Sequence, residues 1–240
     1  MNVKASRTVF WLLVRIWAKP GLIEEVRKEI APFAQASQAP QQFAVPELPH
    51  LKIDLKGLVG SCMLLKACYY ECLRLDSAPI SIRSVRQDFT LTETHPSGLP
   101  GEHSAKYVLR AGTSVAIPLN AHLKDPRYID CPSMFKPSRF LVPSRNDDGA
   151  RTADAGTLEP FGGGEAMCPG RDFAERENMA LVAGILVLWE MEPTNPNGWV
   201  IPGHTASTGV AAPSTSIRVR IRRRQLPPWL GLFSSINTVH

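Results

Sequence analysis

The sequence has no Cys-x-x-Cys pair, no run of about 20 apolar residues, no internal repeat and no low-complexity tract. Its five cysteines (Cys62, Cys68, Cys72, Cys131 and Cys168) are an odd number, and no secretory signal accompanies them. Neither a disulfide framework nor a structural zinc site is expected. The two most apolar stretches, residues 9–18 and 179–191, are interrupted by Arg15 in the first and by Gly184 and Glu190 in the second. No transmembrane segment is expected in this chain, and no targeting segment is visible at Met1. Acidic residues are slightly outnumbered, giving a net charge of +5. Much of that excess is Arg218, Arg220, Arg222, Arg223 and Arg224, which alternate with Ile217, Val219 and Ile221. Such alternation predicts a strand with one apolar and one solvated face. No nucleic-acid module is present, so no nucleic-acid partner is expected.

What is present is ordinary globular composition, with 44% of residues hydrophobic and enough length for one core. Apolar residues at helical spacing predict helices over 8–18, 20–33, 58–75 and 170–189. In the second, Leu22, Ile23, Val26 and Ile30 face inward while Glu24, Glu25, Arg27 and Lys28 face outward. Short strands are predicted at 81–85, 89–92, 107–109 and 115–118, separated by Gly- and Pro-containing turns. Residues 35–49 read as a loop, 130–158 as a long irregular segment, and 198–224 as β-hairpin material. The fold class is therefore mainly α with small β-sheets (α+β). Cys68 and Cys72, four apart in a helical pattern, read as packing residues.

Cys168 stands apart. It lies in Phe161-Gly162-Gly163-Gly164-Glu165-Ala166-Met167-Cys168-Pro169-Gly170-Arg171-Asp172-Phe173-Ala174, a glycine-rich loop that feeds a single cysteine to the start of an amphipathic helix. Glycines let backbone approach a flat ligand closely. The unpaired N–H groups and dipole of a helix's first turn favour a thiolate there. A thiolate so placed is a good axial ligand for haem iron.

The pattern F-x-x-G-x-x-x-C-x-G-x-x-A is matched at every fixed position, by Phe161, Gly164, Cys168, Gly170 and Ala174. This segment resembles the cytochrome P-450 superfamily. Two further segments strengthen the resemblance: the ExxR pair Glu71–Arg74 on a predicted helix, and Pro137-Ser138-Arg139-Phe140, which resembles the family's P-x-R-F segment. The resemblance implies haem b as cofactor, with Cys168 as its iron ligand and Phe161, Gly164 and Gly170 as cofactor-binding residues. It implies a buried structural triad of Glu71, Arg74 and Arg139, with no part in the chemical step. The family's usual Arg or His two residues before the cysteine is replaced by Ala166. That form resembles the branch holding cholesterol 7α-hydroxylase, prostacyclin synthase and many fungal members. With Ala166 unable to donate, Arg83 on the strand after the third helix is the implied donor to a haem propionate. His122, near Asp125-Pro126, reads as a surface or packing histidine; His95, His103, His204 and His240 read as solvated.

The resemblance runs over residues 1–225, read as the C-terminal haem-binding portion of a P-450 domain whose N-terminal half is absent, with 226–240 as a loose tail. Residues 10–20 resemble the end of the family's long central helix, but no Ala-Gly-x-Asp-Thr pattern precedes them, and Asn2, Ser6 and Thr8 are weak substitutes for the family's acid–alcohol pair. The implied function is a monooxygenase, or a fragment of one, that inserts one oxygen atom from O2 into a lipophilic small molecule. For the complete protein the implied partner is an NADPH-dependent reductase, and for a full-length relative the implied location is the endoplasmic-reticulum membrane. A haem-dependent isomerase or peroxide-rearranging enzyme and a non-catalytic truncated fragment are the alternatives. No catalytic residue is assigned.

Overall fold

A computed structural model of the chain describes residues 3–38, 48–92, 105–144, 149–205, 207 and 209–228. The first helix, α1 (Val3–Ala18), buries Val9, Trp11, Leu12 and Ile16 along one stripe. Gly21 then takes a left-handed φ of 78° and starts α2 (Leu22–Ile30), which buries Leu22, Ile23, Val26 and Ile30. Its acidic first turn and basic last turn suit the helix dipole.

Residues 35–49 are not all loop. β1 (Ala34–Ser37) pairs antiparallel with β2 (His50–Ile53), and the residues between, 39–47, lie outside those described. Pairing at long range, with no alternation of its own, formed this ladder.

The single helix expected over 58–75 is two: α3 (Leu55–Ser61) and α4 (Met63–Asp76), broken at Cys62, where ψ is 75°. The cause is tertiary. The Glu29 carboxylate reaches from α2 to accept the N–H groups of Leu64 (2.7 Å) and Leu65 (2.9 Å), so those amides begin a new helix. Asp54 caps α3 in the ordinary way, accepting from Gly57 N at 3.1 Å. Burial raises the Glu29 carboxyl above its usual range, against those backbone donors.

After α4 come β3 (Ser77–Ala78), β4 (Ile80–Ser84), β5 (Phe89–Thr92), β6 (Lys106–Leu109) and β7 (Ser114–Pro118). β4 pairs with β7 and β5 with β6, as two small antiparallel ladders. The irregular stretch holds 3-10 turns at His122–Lys124 and Pro137–Phe140, then a small ladder of β8 (Leu141–Pro143) and β9 (Arg151–Ala153). Past the cysteine loop, α5 (Arg171–Leu188) lays Met179, Val182, Ala183 and Leu186 against α1 and α4 to complete the core.

The C-terminal strands do not form one local hairpin. β10 (Trp189–Pro193) pairs with β12 (Val219–Arg223), while β11 (Gly209–Val210) pairs back onto β3. The arginine-rich strand also departs from expectation. Ile221 on its apolar face is 57% exposed, whereas Arg224 turns inward to donate to the Leu186 and Val187 carbonyls at the end of α5. Open carbonyls at a helix C-terminus attract cations, and here they outcompete solvent. Of the expected tail, Pro228 bridges to Gln38, and 229–240 lie outside the described residues. Among the described residues no helix is long and apolar enough to cross a membrane.

Candidate haem-binding site

The loop before α5 is closed by its own backbone. Cys168 N–H donates to the Phe161 carbonyl at 2.9 Å and Met167 N–H to the Gly164 carbonyl at 3.1 Å. Gly162 and Gly164 adopt φ of 82° and 63°, a region that a side chain would strain. Gly164 shapes the turn without facing the cavity beside it. The loop's base is held by Asn120, whose Oδ1 accepts from Glu159 N at 3.1 Å. Helix α5 then starts, with Ala174 N–H bonded to the Gly170 carbonyl at 2.9 Å.

Cys168 is exposed and lines a cavity of about 510 Å³, within the range of small-molecule and cofactor sites. Phe161, Gly162, Ala166 and Gly170 form the wall around it, and Arg83 lies in the wall on β4. At Gly170 a Cβ would stand 3.9 Å from the Cys168 sulfur, an ordinary contact distance, so the backbone here runs directly beside the thiol. Arg83 is solvent-exposed and bonds the Ile82 carbonyl through Nη1 at 3.0 Å. An exposed guanidinium in the wall can pair with a carboxylate that enters the cavity. These residues fit a haem: a thiol open to a mainly apolar cavity, glycine where the backbone must come close, and an arginine for propionate. Ala166 is in the wall and carries no donor.

Three of the other cysteines, Cys62, Cys68 and Cys72, are buried, whereas Cys131 is exposed like Cys168. Burial, then the charge on Glu29, pushes the Cys62 thiol up to about 12. Burial likewise raises the thiols of Cys68 and Cys72, which are packed in the core. A thiol held protonated by burial is a poor ligand.

The structure brings Glu71, Arg74 and Arg139 together. Glu71 and Arg74 are completely buried, with Arg74 Nε 2.7 Å from Glu71 Oε2 and Arg74 Nη2 2.8 Å from Oε1. Lys136 N–H (2.8 Å) and Arg139 Nε (3.4 Å) also donate to Oε1. Arg74 spends its remaining N–H groups on the carbonyls of Leu123 (2.8 Å), Pro132 (2.7 Å) and Met134 (3.2 Å), so all five guanidinium donors are used. Arg139 Nη2 holds the Cys131 carbonyl at 2.8 Å. The irregular segment is thereby tied to α4, giving it a fixed path without regular secondary structure.

A second network, buried at Arg15 and Asp76 and reaching His204, which is 40% exposed, was not visible in the sequence. Arg15, which interrupts an apolar stretch, donates to Asp76 through Nε (2.6 Å) and Nη2 (2.5 Å). Burial opposes the Arg15 charge, but its bonds to Asp76 outweigh that and raise its pKa. His204, expected to be solvated, bonds Asp76 Oδ1 through Nε2 at 2.8 Å and packs edge-on against Trp11, 4.8 Å between ring centroids. Only the contact across 61 and 128 residues reveals it. His122 is an exposed residue bonded to Thr157 Oγ1 at 3.0 Å. His95, His103, His240 and Asn2 lie outside the described residues. Thr8 and Val210 also line the cavity, and for Val210 no sequence signal existed.

A family model described as cytochrome P450 matches residues 5–219. The chain is 30% identical over 196 residues to the cytochrome P450 monooxygenase poxD of Penicillium oxalicum, covering 81% of this chain and 35% of that protein. It is 26% identical over 189 residues to a cytochrome P450 monooxygenase of Gibberella zeae, covering 78% and 33%. It is 30% identical over 224 residues to the human 7-alpha-hydroxycholest-4-en-3-one 12-alpha-hydroxylase, covering 90% and 41%. Among solved structures, a crystal structure of a cytochrome P450 superposes with a TM-score of 0.62 at 24% identity, over 92% of this chain and 43% of that one. The chain thus spans between a third and about two fifths of the length of these proteins.

Proposed function

The chain belongs to the cytochrome P450 family, whose cofactor is haem b, and from that premise we propose that residues 1–225 are the C-terminal haem-binding portion of a haem-thiolate monooxygenase. The observation that carries the reading is the Cys168 thiol, open to a cavity of about 510 Å³ at the start of α5. Cys168 would ligate the iron, Phe161, Gly164 and Gly170 would belong to the loop that binds the haem, and Arg83 would pair with a propionate. The triad of Glu71, Arg74 and Arg139 is structural and fixes the segment that leads into the loop.

The chemistry that a bound haem would supply is activation of O2, with Cys168 as the residue that would ligate its iron. In the overall reaction one oxygen atom enters a C–H bond of a lipophilic substrate. The other leaves as water, having taken up two protons and, through a reductase, two electrons from NADPH. The chain's own contribution is to present the sulfur to a mainly apolar cavity and to offer Arg83 to a propionate. An endoplasmic-reticulum setting for a full-length relative belongs to the same proposal.

A reduced, CO-bound sample is expected to show the thiolate-ligated Soret band, and Cys168→Ala to lose it. A mutant that keeps the band would mean another residue ligates the iron. Turnover by this chain alone is expected to be poor. Ile82 and Phe173, both in the cavity wall, are 66% and 69% exposed, so water reaches the region that should be dry. With reductase, NADPH and a panel of lipophilic substrates, regiospecific hydroxylation at about 1 per second, ordinary for enzymes, would show that this portion suffices.

A further inference from the structure

The Arg15–Asp76–His204 network is not used by the reading above, yet the segment it grips carries Gly209 and Val210 to the cavity wall. Thr205 N–H donates to the Ala212 carbonyl (2.9 Å) and Ser214 N–H to the Gly203 carbonyl (2.8 Å), so the chain folds back on itself between these pairs. Near its turn lie Gly209 and Val210, which pair with Ala78 and Ser77 and line the cavity. The returning arm is anchored by backbone. Ala211 N–H donates to the Asp76 carbonyl (2.8 Å), Trp11 Nε1 donates to the Ala211 carbonyl (2.8 Å), and Arg7 Nη1 donates to the Val210 carbonyl (3.1 Å). The outgoing arm is anchored through a side chain, His204 Nε2 on Asp76 Oδ1. A carboxylate oxygen only accepts, so Nε2 carries the proton. Asp76 therefore grips both arms, one by its carboxylate and one by its backbone carbonyl, while Arg15 holds that carboxylate to α1.

We propose that His204 is a positioning residue: with Asp76 it fixes the hairpin that carries Val210, and so sets how large a ligand the cavity admits. The role rests on the reading of the cavity as the haem-side ligand site. His204 touches neither the cysteine loop nor the cavity itself, and its effect passes through the backbone of Gly209 and Val210.

The geometry selects the variants. His204→Ala leaves both Arg15–Asp76 bonds in place, so no buried charge is orphaned and the fold survives. His204→Gln returns an N–H donor at the same place. Loss of a hydrogen bond to a charged group predicts about tenfold faster exchange of the Val210 and Ala211 amides in His204→Ala. The Ile221 amide in β12 should not change, and His204→Gln should restore the wild-type rates. In the haem-loaded chain, binding of a graded series of 1-alkylimidazoles should shift its long-to-short affinity ratio by about fivefold in His204→Ala, a modest part of what pocket contacts discriminate. The CO-bound thiolate band should stay intact. Unchanged exchange, or an unchanged ratio with the band present, overturns the positioning role. Absence of the band in the wild type would instead overturn the haem reading, and the exchange rates would still decide whether His204 holds the hairpin.

Discussion

The Glu71 network and the Cys168 loop obey opposite rules. Around Glu71 two opposite charges are completely buried, and every guanidinium donor of Arg74 has an acceptor. Around Cys168 the thiol is exposed, the turn is built on glycines, and the backbone bonds mainly to itself. One region is a closed account of donors and acceptors; the other leaves its reactive atom open. Buried charge is thus concentrated where no chemistry is proposed, and the exposed Cys168 sulfur sits on a loop that the rest of the fold must hold. That division predicts that damage to the first region costs folding and damage to the second costs ligand.

The sharpest test is Glu71→Ala. It leaves Arg74 buried without its carboxylate, which is expected to cost about 3–5 kcal/mol and to abolish soluble protein. Denaturant unfolding or simple recovery of folded chain reads this out. Normal folding and haem loading would erase the contrast between the regions. Arg83→Ala comes next. Loss of one charged hydrogen bond to a propionate, about 1.5–3 kcal/mol, should speed haem loss by about tenfold or more and leave the melting temperature of the haem-free chain unmoved. Haem transfer to an acceptor protein gives the rate; equal rates would leave Arg83 a surface charge. The smallest effect is chemical. Near pH 8 a mild alkylating reagent should label Cys131 and Cys168, both exposed, and spare Cys68 and Cys72. With its thiol pushed up to about 12, Cys62 should be only about 1 in 10⁴ thiolate at that pH and react very slowly. Haem should then protect Cys168 but not Cys131; equal protection of both would break the assignment of the open thiol.

Much of the candidate site was legible because it is local. From Phe161 to Ala174 the spacing of Phe, Gly, Cys, Gly and Ala is dictated by one turn and the first turn of one helix, so the sequence carried it whole. The same holds for the helix faces at Leu22, Ile23, Val26 and Ile30, which are buried as their periodicity predicts. Arg83 was reached only through the family resemblance, and the structure places it in the cavity wall. Asp76 and His204 were missed, since a lone carboxylate at a helix end and a lone histidine in a loop have no pattern to read. The break at Cys62 was missed for a related reason: helix propensity favours continuity, and the carboxylate that stops it comes from Glu29 in α2.

Residue pattern alone sufficed for the helices with clear apolar stripes, the cysteine loop and the family. Each of these depends on residues within a turn or two of one another, where spacing alone fixes geometry. Tertiary structure decided which buried charges meet, where α3 gives way to α4, that β12 returns to β10, and that Val210 reaches the cavity. Those outcomes depend on donors and acceptors brought together from distant parts of the chain. A buried polar group is stable only when such a partner arrives, and no local pattern says which partner that will be.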